Sequence, residues 1–132
     1  MSLTITDIDN GGVLIHGDAF ADGLLTFGGA GTVLDGTILA RDSVSLKYVP
    51  FVKGGTTNEN GIPKAVVTYD VTAAGAGDVA VRVLTAGDVR TDKLVIDADG
   101  DASNVDSAVL DQLRDYGIVA STVTELNSQD NQ

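Results

Sequence analysis

The feature that most constrains this chain is a strictly alternating run behind a glycine-rich turn, Gly75-Ala76-Gly77-Asp78-Val79-Ala80-Val81-Arg82-Val83-Leu84. On an extended backbone Val79, Val81 and Val83 fall on one face and Ala80, Arg82 and Leu84 on the other. Period two with β-branched residues specifies a strand. The same stretch matches the G-x-G-x-x-A dinucleotide fingerprint, and Asp97 stands twenty residues beyond Gly77. That fingerprint works because its third small residue opens a helix whose N-terminus faces the pyrophosphate. A strand cannot do this. The glycines therefore join two strands, Asp97 is a coincidence of spacing, and no cofactor is expected.

The rest of the chain reads as short strands between turns. Leu3 and Ile5 alternate with polar residues in SLTITDI, with Ile8 following after Asp7, and Asn10-Gly11-Gly12 closes that segment. VLIH follows, then a glycine-rich passage, GDAFADGLLTFGGAG, of weak periodicity. Thr32 to Ala40 carries two β-branched clusters around the turn dipeptide Asp35-Gly36. Ser45 to Val52 alternates as a strand, with Pro50 marking an edge or bulge. Lys53 to Gly61 is a polar surface loop, Ala65 to Val71 resumes the strand pattern, and Lys93 to Asp97 predicts another short strand. One helix is expected, capped by Ser103, with Val105, Ala108, Val109, Gln112, Leu113 and Tyr116 along its core face and Gly117 as its stop. IVAST reads as a last strand, and the polar residues 124–132 as a tail. The expected fold is mainly β (α+β): a small, compact β-rich domain with one short C-terminal helix and an extended N-terminal arm.

Composition narrows the functions available. A chain of 132 residues fits one domain and can bury a modest core unaided. It has no cysteine, which removes disulfides and thiolate metal or redox chemistry, and its single histidine has no partner for a multi-histidine metal site. Nineteen acidic against eight scattered basic residues give a net charge of −11, which repels nucleic acid. No apolar run approaches the roughly 20 residues of a membrane span, so no membrane partner is expected. A basic segment leading into an apolar one is missing at the N-terminus, which argues against a secretory signal.

Two further stretches invite chemistry. Asp97, Asp99 and Asp101 resemble the opening of a calcium loop, but the EF-hand pattern needs glycine at its sixth position and glutamate at its twelfth. Here the glycine is Gly100, at the fourth, and the twelfth is Ala108. A solvated acidic loop feeding a helix N-terminus is the plainer reading, with an irregular calcium site left open. His16, close to Asp18, could be an oriented base, yet no serine stands in a G-x-S-x-G elbow. No catalytic, cofactor-binding or metal residue is assigned, and the chain does not read as an enzyme.

The order of segments is more specific than any one motif. Gly36-Thr37-Ile38-Leu39, then Ala65 to Thr72, then Val79 to Val89, and finally Ala108 to Val119 follow the pattern of the head decoration proteins of lambda-like tailed phages, over about Gly31 to Ser121. The chain resembles that family. The resemblance implies a capsid cement protein, made in the host cytoplasm and carried on the outer surface of the virion. It would bind the expanded icosahedral head as a homotrimer, touch the major capsid protein and stabilise the shell against internal DNA pressure. It also implies an N-terminal arm that adds β-structure to the capsid protein. Here that arm would be residues 1–30, an arm with a glycine-rich lead-in of which part can join the core, followed by a decoration domain over 31–123. Leu3, Thr4, Ile5, Thr6 and Ile8 are the candidate capsid-binding residues, since SLTITDI has the alternation that strand addition needs. The arm is more acidic than the Pro-, Ala- and Thr-rich arms of the family.

The competing reading is a small β-domain that binds a ligand or carbohydrate on a virion or cell surface. Sugar-binding faces need exposed rings. Tyr48, Phe51 and Tyr69 lie on predicted strands and Tyr116 on the predicted helix face, which leaves Phe20 and Phe27.

Overall fold

The alternation after Gly77 becomes the backbone of the molecule. In the computed structural model, which describes residues 12–122, strand β7 (Gly77–Arg90) pairs antiparallel along its whole length with strand β1 (Leu14–Phe27). Gly75 and Ala76 form the bend between β6 (Val71–Ala73) and β7, so the glycine motif joins two strands as its sequence requires. Three short strands complete the sheet: β3 (Ile38–Arg41), β4 (Tyr48–Pro50) and β5 (Ala65–Val67). The order β1-β4-β3-β5-β7, with β1 also paired to β7, closes these five strands into a ring. A closed sheet leaves few edges to guard.

β7 is long enough to hold two partners in succession on its second flank. β5 pairs at Val83 and Leu84, and β8 (Ile118–Ser121) pairs in parallel from Gly87 to Arg90. A separate two-stranded sheet joins β2 (Gly31–Val33) to β6. Parallel pairing of β8 needs a crossover, which the helix α1 (Ser107–Asp115) supplies.

The central strands are buried on both faces, which is why ILA and AVV read as continuous apolar runs. Ile38, Val66 and Leu84 face a core with Val13, Phe51, Leu94, Val109, Leu113 and Ile118, covered by α1. Their neighbours Leu39, Ala65, Val67 and Val83 face a second core with Leu25, Tyr48, Val71 and Val81. Leu84 is fully buried where β1, β5 and β7 meet.

Gly36 ties the two-stranded sheet to this ring. It adopts φ +94, and a Cβ there would lie 2.0 Å from the Lys93 carbonyl oxygen. Its amide donates to Val67 O and its own carbonyl accepts from Val95 N, at 2.8 and 2.9 Å. The turn at Asp35-Gly36 is therefore where the sequence puts it, and only glycine suits it.

Four local expectations need correction. The passage GDAFADGLLTF, to which weak periodicity gave no element, lies in strand β1: three register shifts between Leu14 and Phe20 break its period, and its residues through Leu24 are mostly exposed, so no apolar alternation marks it. The helix cap is Asp106, not Ser103. Asp106 Oδ1 accepts from Val109 N at 3.1 Å, while Ser103 N donates to Asp101 Oδ1. The helix consequently starts at Ser107 and its core face is Val109, Leu113 and the half-buried Leu110; Ala108, Gln112 and Tyr116 are exposed. Lys93 to Asp97 is a 3-10 turn and two isolated bridges, Thr37 to Val95 and Ile96 to Asp101. Finally, only Tyr48–Pro50 of the expected Ser45–Val52 strand is extended, because Asp42 folds residues 42–47 into a turn.

Candidate functional site

The five residues expected to bind the capsid, Leu3, Thr4, Ile5, Thr6 and Ile8, lie outside the described residues, as does the 124–132 tail. What the structure gives is the anchor from which that segment departs. Val13 is fully buried, and its carbonyl accepts from Arg90 N at 2.8 Å. Its backbone also hydrogen-bonds the Asp35 carboxylate. Burial raises the pKa of Asp35, with neighbouring Asp70 adding to the effect, against the lowering influence of the Val13 hydrogen bond and of Lys93. Asp35 N in turn donates to Asp70 Oδ1 at 2.7 Å. From Val13 onward the chain is tied into the ring, so any segment that reaches another molecule does so from a fixed root.

The exposed rings of Phe20, Tyr69 and Tyr116 each meet a polar group of this molecule. Arg82 lies over Phe20, 5.5 Å from its centroid, and Lys64 over Tyr116 at 5.6 Å. The Tyr69 hydroxyl accepts from Arg82 N at 3.0 Å, where β7 has no strand partner on that side. Phe27, expected to be spare, is buried in the second core, and Tyr116, expected in the core, is 47% exposed because it stands beyond the last helical residue. Concavities of about 230 Å³ lie beside α1 and β8 and beside the glycine loop at 28–31. Both fall below the ~300–1,000 Å³ of ordinary small-molecule sites.

The acidic loop spends its carboxylates on local donors. Asp101 is held below its usual pKa by its hydrogen bonds with Ser103, and Asp99 Oδ2 accepts from Asn104 Nδ2 at 2.9 Å. Asp106 is also lowered, first by Lys53, which reaches it at 2.7 Å, and then by the helix amides it caps. Among the described residues no group of three or more His, Asp or Glu side chains is placed to hold a metal. His16 Nε2 meets Asp18 Oδ1 at 3.0 Å on the open surface of β1.

What the surface does offer is apolar side chains in places that polar residues usually fill. Val44 and Leu46 in the turn between β3 and β4, and Leu24 on β1, are exposed. The sequence pattern hid them by assigning Leu46 to a strand. The signal was the serine pair flanking Val44 directly after Asp42, a turn signature.

Compared with known families, residues 8–118 match the one described as Bacteriophage lambda head decoration protein D. The chain belongs to this family. The match takes in β1 through the first residue of β8, so the ring, the two-stranded sheet and the helix all fall within it. Membership makes this a phage head protein with a capsid decoration role, a structural component of the virion that associates with the capsid. No curated protein matches the chain.

Proposed function

We propose that this protein binds the outer face of the expanded phage head as a homotrimer and cements neighbouring subunits of the major capsid protein against internal DNA pressure. The observation that carries this reading is the family match over residues 8–118. The fold is suited to it: a closed ring gives a stiff body, and the firmly anchored Val13 gives the preceding segment a fixed point of departure. In this reading the arm is the stretch ahead of Gly12. Leu3, Ile5 and Ile8 fill apolar pockets while Thr4 and Thr6 flank them, and the added strand supplies backbone hydrogen bonds. One trimer touches several capsid subunits together, so modest contacts add by effective concentration. The acidic surface keeps free copies soluble and apart from packaged nucleic acid.

The test is reconstitution. Purified protein is added to expanded capsids that lack it, and binding and particle heat resistance are followed against dose. Saturable binding with raised heat resistance supports the reading; particles unchanged at saturating dose overturn it.

A further inference from the structure

The turn from β3 to β4, residues 42–47, presents apolar side chains where turn chemistry favours polar ones. Val44 is 90% exposed and Leu46 59%, the two highest values among the exposed large apolar residues described. The turn is nevertheless well held. Asp42 Oδ1 accepts from Val44 N at 2.8 Å, Leu46 N donates to Asp42 O at 2.8 Å, and Asp42 N donates to Lys47 O at 3.0 Å. Ser43 Oγ donates to Glu59. Leu46 adopts φ 63, a conformation that glycine would take without strain. A strained, fixed turn thus holds two aliphatic side chains out in water.

Its charge distribution says what can cover it. Ser43 to Leu46 carries no charge in a chain of net −11. Asp42 at its root accepts from the Val44 and Ser45 amides, and two neighbouring charges are paired: Lys47 Nζ meets Asp78 Oδ2 at 2.7 Å, and Glu59 meets Lys64 at 3.6 Å. A different protein can approach an acidic molecule with basic side chains. A second copy carries the same net charge of −11, so contact between copies is favoured where charge is missing or paired within the molecule. Asp78 also hydrogen-bonds Thr26 on β1, which sets the turn beside the outer face of β1, where Leu24 is exposed.

We propose that the 42–47 turn is a contact between copies of this chain, with Val44 and Leu46 as its apolar anchors and the face around Leu24 as part of its surroundings. The proposal rests on the trimer reading above and names the surface that reading leaves open. A few anchors inside a wider contact are how interfaces distribute their energy.

The experiment compares wild type, V44D/L46D, the milder V44S/L46N and a charge control, V119D, by sedimentation over a concentration series, with circular dichroism melting and capsid binding on the same samples. Both side chains are exposed, so the variants keep the wild-type spectrum. Wild type and V119D associate, V44S/L46N needs at least about tenfold more protein to do so, and V44D/L46D stays monomeric. Association unchanged in both turn variants overturns the proposal while the trimer reading stands. Unchanged association with lost capsid binding also overturns it and gives the turn to the capsid protein. A wild type that is monomeric throughout overturns the trimer reading itself.

Discussion

Two residues carry conditions that their neighbours do not share. Gly36→Ala places a Cβ against the Lys93 carbonyl in a left-handed conformation, which alone costs about 1–2 kcal/mol. Chemical denaturation of G36A is expected to give an unfolding free energy lower by at least that amount. Asp35 is the second. Its folded pKa is raised, so its ionised form disfavours the folded state above that pKa, and the penalty fades as pH falls through it. Asp35→Asn keeps an acceptor for the Val13 amide and removes the charge. D35N should melt above wild type at pH 7, with the gap closing as the medium is acidified. Asp78 and Asp106 behave in the opposite sense. Their folded pKa values are lowered, by Lys47 and Lys53 first, so their contribution is complete above the ordinary carboxylate range and is lost below it.

At the scale of elements, α1 is held by its buried face and its cap. Leu113→Ala empties a fully buried site in the core beneath β7 and should destabilise by about 2–5 kcal/mol in equilibrium unfolding. Asp106→Asn retains the cap and loses the Lys53 ion pair, whereas Asp106→Ala loses both. The expected order of melting temperatures is wild type, then D106N, then D106A. The same scale shows what the amino-acid pattern could reveal. β7 was legible because its valines alternate in burial, and the stop at Gly117 because its φ of +102 suits glycine. β1 was not, since its side chains are mostly exposed through Leu24 and its register shifts near Leu14–Phe20. The cap was misplaced by three residues because Ser103 and Asp106 are equally good caps by type. Only Lys53, 53 positions before Asp106 and brought beside it by the fold, favours the second. The turn at Val44 and Leu46 was hidden for a related reason: alternation through Leu46 and Tyr48 imitates a strand, while the Asp42 hydrogen bonds that fold it back are local and side-chain made.

For the whole molecule the governing quantity is its charge of −11. Added salt screens the repulsion between copies over a distance that falls from about 30 Å at 0.01 M to about 10 Å at 0.1 M. Self-association through a neutral contact is therefore expected to strengthen as sodium chloride is raised, measured as the shift of the sedimentation midpoint. Weakening with salt would mean that ion pairs between copies dominate. Removing residues 1–8 should leave the melting temperature within error, because the anchor at Val13 stays in place, and should weaken attachment to expanded capsids several-fold in the reconstitution assay. Equal attachment would remove that segment from the contact.

The pairing of β1 with β7 also sets a schedule for synthesis. Its partners are separated by between 50 residues, at Phe27 and Gly77, and 75, at Leu14 and Val89. A nascent chain has emitted its first long strand well before the complement exists, and the loop to be closed is long, which slows the search for native pairing. Maturation of each copy is thus a late event on the ribosome or just after release, and a chain cut short before Arg90 has no complete seam to zip.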